Sequence, residues 1–490
     1  MKKYALSILV ILSCFMCKLY ARKQEVFSHS FMYTRPVLYN VAMYDAIWHN
    51  FVYNKTGNHG SSFQMIGFAQ KSREKNAIKQ YFLPQNGKTN VLVAGDAISE
   101  TFFTRDVRAE WLGLPDTFSG VLTINPEQKQ AGFIFQYHQN FKSMFAESSL
   151  WENTWFSISV PLVSVRNNFG PEQSMVMTGT NEPTQPPFDL IQAFNQPDWQ
   201  YGKFCPNTLH SFSIAELRID GGRDYVTQNK LNQFRYYAIL SIPFAPKQDA
   251  SYIFDPFAGN NKHFGTGFGL NMNFLLNKDI EQFKLFYFID LEAVYLWRNK
   301  QKRTFDLRNK PWSRFLPMNR QNGPPDQNIP GVNVLTFDVK VSPFGIFDFA
   351  TGWRVQTGPF EFELSYSVWG RDYEHIKLWD TIPETFCYGV YGIAGTGSMI
   401  EKGQVVATSS SMSTINCQAP NDAEFTPITI EDIDFDSGAA SSAIIQKLQV
   451  AAGIMHDEYV FFGIGGYFEF AQKNSALQNS GVWVKWGMSF

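Results

Sequence analysis

Apolar and polar residues alternate with period two along much of this 490-residue chain. The cleanest case is the final segment, Gly481–Phe490. There Val482, Val484, Trp486, Met488 and Phe490 hold one phase, and Gly481, Trp483, Lys485, Gly487 and Ser489 the other. In an extended strand such a pattern puts a row of large apolar groups on one face. Tyr459–Ala471 alternates as well, with Val460, Phe462, Ile464, Phe468 and Phe470 opposite Gly463, Gly465, Tyr467 and Glu469. In Pro359–Gly370 the apolar phase is Phe360, Phe362, Leu364, Tyr366 and Val368. Softer alternation predicts strands over Ala46–Asn54, Gly60–Ala69, Phe118–Ile124, Gln130–Phe141, Trp155–Val165, Leu209–Ile219 and Asn232–Phe244, and over Gly265–Leu275, Phe283–Trp297, Asn333–Val355 and Leu448–His456. The total is about 14 strands, within a range of roughly 12 to 16 because boundaries are soft.

The connections sort into two kinds. Gln356–Pro359 and the turn around Asp457 are tight, whereas Gln472–Ser480, Asn167–Asn207, Arg298–Val332 and Arg371–Gln446 are long. Counting strands back from Phe490 puts the long ones at one end and the tight ones at the other, the pattern of an up-and-down meander. Asp96–Leu112 breaks the pattern, because its apolar spacing is nearer a helical period. The count places it at the tight-turn end, as a helix beside the barrel or inside it.

Composition sharpens this picture. Aromatics make up 16% of residues, with 46 Phe, and charged residues only 18%. A lipid-facing band with interfacial girdles uses such a balance. The formal net charge of −2 gives no basic footprint for nucleic acid. Met1–Tyr4 is a short basic region followed by apolar Ala5–Phe15, the form of a secretory signal. The apolar run is too short to cross a bilayer as a helix. Leu19-Tyr20-Ala21 offers a cleavage site, giving a signal peptide over 1–21 and a mature chain over 22–490. Ile11-Leu12-Ser13-Cys14 resembles a lipobox, with Cys14 as the alternative, lipidated residue. The mature chain then holds Cys205, Cys387 and Cys417, of which Cys387 and Cys417 form the candidate disulfide in an oxidising envelope.

The terminal strand Gly481–Phe490 resembles the C-terminal recognition strand of Gram-negative outer-membrane β-barrels, which ends in Phe after apolar residues at alternate positions. Together with the export signal it makes the chain similar to porin-like outer-membrane barrels in general, with no single family singled out. The resemblance implies an all-β fold: one transmembrane antiparallel up-and-down barrel with short periplasmic turns and long extracellular loops. It implies a bacterial outer-membrane location, contact with outer-membrane lipid and lipopolysaccharide, and recognition of Val482, Val484, Trp486, Met488 and Phe490 by the barrel-assembly machinery. A homotrimer follows only by analogy. Within that frame Arg371–Gln446 is an extracellular or constriction loop, and Asp96–Leu112 a periplasmic or luminal helix.

The opposite phase of the strands supplies the candidate pore lining: Arg235, Lys284, Asp290, Glu292, Asp348, Arg354, Glu361, Glu363, Glu469 and Lys485, joined by Gln136, His138 and Asn140. Charged walls of both signs suit a channel for passive diffusion of small hydrophilic solutes or ions. A closed core of paired charges is the competing reading. A plugged transporter of hydrophobic compounds is another, since Tyr237, Phe286 and Phe288 share the inward phase. A non-conducting surface barrel that binds a host or partner through its loops is the third. No enzyme, cofactor or metal is expected, because the eight histidines show no HExxH spacing. Asp432–Gly438 departs from a calcium loop, with its glycine one place late and Ala443 at the distal Glu position. Arg298–Arg320 carries eight basic residues against the single acid Asp306, suited either to lipid phosphates or to the acidic loop across the mouth.

Overall fold

The alternation becomes a closed wall. In the computed structural model, which describes residues 41–46, 60–83, 89–98, 105–141, 153–177, 187–227, 232–277, 283–323, 328–379, 383–392, 424–456, 459–473 and 477–490, twelve strands form an antiparallel ring. They are β1 Ser61–Arg73, β2 Glu127–Asn140, β3 Thr154–Asn168, β4 Glu216–Val226, β5 Asn232–Pro243 and β6 Gly265–Leu275, then β7 Phe283–Leu296, β8 Phe344–Thr357, β9 Phe360–Arg371, β10 Ala443–His456, β11 Val460–Lys473 and β12 Gln478–Ser489. Each pairs with its neighbour in sequence, and β12 returns to β1 with Met488 opposite Phe63 and Val482 opposite Ala69. The seam ends in two backbone bonds, Phe490 N to the Ser61 carbonyl (2.9 Å) and Ser61 N to the Phe490 carbonyl (3.1 Å). Closure pairs both sides of the twelve ring strands, and the short strand Leu209–Ile214, bonded to β3 alone, is the edge that remains in this sheet.

The outward phase is apolar and bare. Val482, Val484, Phe462, Ile464, Phe468, Phe360, Phe362, Val450 and Phe268 are all exposed, Val482 by 60%. A continuous belt of this kind would aggregate in water, and it is the surface a membrane-spanning barrel presents to acyl chains. One of the fourteen expected strands lies outside the ring, and a second falls almost wholly outside the described residues. Phe118–Ile124 becomes Ser119–Ile124, which pairs outside the barrel with Asn90–Ala94 and Pro171–Met177. Of Ala46–Asn54 only Ala46 lies among the described residues, in a turn inside the barrel. Removing both lowers the count to twelve and reverses the direction assigned to β1. Residues 74–126 therefore belong to the long-connection end, and Asp96–Leu112 with them. Its described residues give a short strand, Val107–Arg108, and a 3-10 turn, Ala109–Leu112, in place of the expected helix.

The long connections do not hang free. Residues of 74–126, 169–208, 244–264, 297–343, 372–442 and Leu477 share one hydrophobic core at that end. Its centre is aromatic: Phe194 stacks on Phe204 at 4.4 Å, and Trp199 on Phe315 at 5.3 Å. Two buried ion pairs tie it together, Arg314 to Asp306 (2.6 Å) and Arg303 to Glu374 (3.4 Å). The basic run after β7 is thus not a uniform solvated rim, since Arg303 and Arg314 are buried inside this cap. Arg308 meets the acidic connection, its backbone N–H donating to the Asp432 carbonyl at 2.8 Å. Of the candidate disulfide, Cys387 is exposed and has no bonded sulfur among the described residues, while Cys417 lies outside them, as does the 1–21 signal.

The cap carries two opposed acid–base groups. Buried His263 donates from Nδ1 to the Trp297 carbonyl (2.8 Å), leaving Nε2 to accept from the Gln301 amide (2.7 Å). Burial lowers its pKa to about 4. Burial and the neighbouring Asp249 raise Asp255 to about 7. Stability from neutral His263 is present above the ordinary imidazole range near 6.5 and is lost as pH falls toward 4. The Asp255 contribution runs the other way, full below about 4 and lost as pH rises toward 7. The two offset each other in the wild type. Asp255→Asn removes that offset, so the cap's resistance to limited proteolysis should fall more between pH 6.5 and 4 than the wild type's does. An acid profile as flat as the wild type's would refute this account.

Candidate functional site: the lumen and its plug

The inward phase builds the site. Inside the ring lies a short helix, α1 Val41–Asp45, with Met43 and Ala46 fully buried. Lys485, at the centre of β12, holds it. The ammonium donates to the carbonyls of Met43 (2.8 Å), Tyr44 (2.9 Å) and Ala46 (2.6 Å). A helix end leaves its last carbonyls without intrahelical partners, and a lysine brings three donors to that place. Gln64 of β1 adds a bond from Nε2 to the Tyr44 carbonyl at 3.2 Å, and Asn271 of β6 donates to Asp45 at 3.3 Å.

Around the helix the wall is two-sided. On β4 to β9 it is charged. Arg218 pairs with Asp220 (2.9 Å) and forks onto Glu292, which also accepts from the Tyr237 hydroxyl at 2.7 Å. Arg235 pairs with Asp224 (2.7 Å) and lies over Trp155 at 4.2 Å. Arg354 approaches Glu361 at 3.5 Å and lies over Phe286 at 4.6 Å. The opposite wall, β1 to β3 with β11 and β12, carries Ile66, Phe68, Ile134, Val163, Val165 and Trp483, with amide ladders such as Gln64–Gln136–Ser157 between them. Between helix and wall a cavity of about 30 Å³ remains, lined by Asp45, Arg218, Arg235, Tyr237 and Glu292 among others. That is room on the scale of a single water molecule.

Of the ten pore-lining residues read from sequence, nine face inward and are buried: Arg235, Asp290, Glu292, Asp348, Arg354, Glu361, Glu363, Glu469 and Lys485. Lys284 stays exposed near the tight-turn end of β7. Glu469 pairs with Lys447 at 3.4 Å, and both carboxylate oxygens of Glu363 lack a hydrogen-bond partner among the described residues. Among the described residues carboxylates are in surplus, since Asp45 and Glu216 add to those already named. Sequence reasoning missed α1 because five residues are too few to show a period. Asp220 and Lys447 were missed because they fall just outside the expected strands Leu209–Ile219 and Leu448–His456, and Arg218 because the inward phase slips by one residue at Ala215 within the first of these.

Comparison with known proteins gives general likeness only. No family model matches the chain, and no curated protein matches it. Among solved structures it is similar to an outer membrane channel from Pseudomonas putida F1, with 8% identity, coverage of 89% of this chain and 99% of that one, and a TM-score of 0.38. It is also similar to the deltaS2S3 mutant of the TodX monoaromatic hydrocarbon channel (10% identity, 94% and 96% coverage, TM-score 0.36). The CymD monoaromatic hydrocarbon channel gives 8% identity, 92% and 94% coverage and a TM-score of 0.31.

Luminal aromatics lie flat on glycines, which keeps space for the helix. A Cβ on Gly465 would sit 2.2 Å from Trp483 Cζ2, and one on Gly269 2.1 Å from Tyr237 Cζ. Gly465→Val should push the indole toward α1 and cost about 1–3 kcal/mol, the range for overpacking. The temperature at which the folded band is lost on SDS gels should drop; an unchanged midpoint would argue against this packing.

Proposed function

We propose that the protein is a gated outer-membrane channel. Its resting lumen is closed by α1, and small hydrophilic solutes, cations above anions, cross when the helix is displaced. The observation that carries this reading is the single lysine holding three helix carbonyls inside a wall with surplus carboxylates. A short helix held by a few side chains, Lys485 first and then Gln64 and Asn271, is releasable in a way that a woven core is not. The carboxylates would raise local cation concentration in a narrow polar path.

The test is conductance in planar bilayers of the refolded barrel, full-length against a variant lacking the residues before Gly60. Truncation should give larger and more frequent ohmic steps, with a reversal potential favouring cations. A truncated, correctly folded barrel that stays silent would sink the proposal.

One feature favours transport of hydrophobic compounds as the second reading. Pro161, in the middle of β3, has no N–H, and its carbonyl takes the Ala215 N–H at 2.9 Å where the register slips between Leu209–Ile214 and β4. Such a bulge interrupts the ladder. Leu209–Ile214 pairs with β3 alone in the barrel sheet, beside apolar Val163 and Val165. Uptake of an apolar solute that depends on this break, with no ionic conductance after truncation, would favour that reading over the first.

A further inference from the structure

The outer wall carries charge where lipid should lie. Lys71 of β1 is paired directly with Lys129 of β2, and Lys129 directly with Arg166 of β3. Arg166 in turn faces His210 on the short strand Leu209–Ile214. All four are on the outward phase and exposed. Like charges directly opposite across strands repel. The acid bound to this row is Glu127, which takes Lys71 at 2.7 Å and Lys129 at 3.0 Å and leaves Arg166 without a bonded carboxylate in this row. The row sits two residues from the ends of β1, β2 and β3 at the cap side, the level at which an outer-leaflet headgroup meets the barrel.

Directly below it the wall is hollow. The next outward positions in register are small, Ala69 opposite Ala131 and Ala131 opposite Ser164, with Gly466 beyond Val482. They floor an open groove of about 670 Å³, with Phe468 and Val482 along one side and Lys71, Lys129 and Arg166 at its rim. Arg73 closes the corner, its guanidinium 5.2 Å from the Phe468 ring.

We infer that this face is a binding site for a phosphorylated, acylated lipid of the outer leaflet. The phosphate lies on the Lys71–Lys129–Arg166 row and an acyl chain fills the groove over Ala69 and Ala131. Charge complementarity selects the headgroup, because Arg forks and Lys point charges are the usual partners of phosphate. The small-residue floor selects the chain, since bulky side chains there would leave no slot.

Native mass spectrometry of the detergent-solubilised barrel, mixed with a diphosphorylated lipid A or with phosphatidylethanolamine at equal concentration, provides the test. The wild type should retain one lipid A and little phosphatidylethanolamine. Lys71→Gln/Lys129→Gln/Arg166→Gln should bind lipid A about a hundredfold more weakly, on the scale of three interfacial cations. Ala131→Phe keeps every charge and should also lose the lipid. Both variants should still show the folded band on SDS gels. Equal retention by the triple variant, or competition by inorganic pyrophosphate as strong as by the lipid, would overturn the inference.

Discussion

Lys485→Met should turn a largely closed barrel into a frequently open one. The ammonium makes three hydrogen bonds to the helix, at 2.6 to 2.9 Å. Hydrogen bonds involving a charged group contribute about 1.5–3 kcal/mol each to stability. Their losses are not additive, but about 3 kcal/mol in total is a conservative figure. That corresponds to roughly a hundredfold shift in the balance between seated and displaced helix. The methionine also takes the lysine donor from the Met43 and Ala46 carbonyls and leaves Tyr44 only its bond from Gln64, which acts in the same direction. Single-channel recordings should show open probability rising by a comparable factor, while Lys485→Arg, which keeps donors and charge, stays near the wild type. If Met and Arg variants conduct alike, the lysine is a wall residue and the helix is held by something else.

Phe315→Ala should dissolve the cap while leaving the ring intact. Phe315 is 1% exposed and touches Trp199, Phe194, Phe204 and Trp312 at centroid distances of 5.1 to 6.0 Å. Truncating a buried Phe costs about 3–5 kcal/mol. The cap is built from separate connections, each fixed only at its two ends by the barrel, so it has little stability of its own to absorb such a loss. Trypsin should then cut within 74–126 and 297–343, where the wild type resists. The barrel should keep its heat-modifiable migration, because its ladders do not pass through Phe315. Simultaneous loss of both would show that cap and barrel unfold as one unit.

The ring was legible wherever alternation is strict, and the cap was not. β9, β11 and β12 follow period two so closely that their lipid-facing and luminal residues could be assigned from the chain alone. Alternation reports a half-buried strand without saying what covers it, so Ser119–Ile124 of the cap looked like a membrane strand. Asn333–Val355 joined two strands for the same reason. Thr336–Ser342 belongs to the cap and β8 to the barrel, and Phe344, with φ 59°, turns the chain between them. Glu292 and Glu469 were readable as inward-facing, but not as the partners of Arg218 and Lys447, since each pair joins different strands. Nothing local marks Lys485 as a clamp. Its partners are backbone carbonyls, which every sequence has.

With the long connections facing outward, as the proposed channel requires, their shared core also determines what an immune system or a phage would meet. The outside face of this barrel is a folded surface in which neighbouring residues come from connections far apart in the chain. Antibodies raised against the intact protein should therefore recognise shape and lose it on boiling. Peptides copied from single connections would raise sera that bind the denatured chain and pass over the living cell.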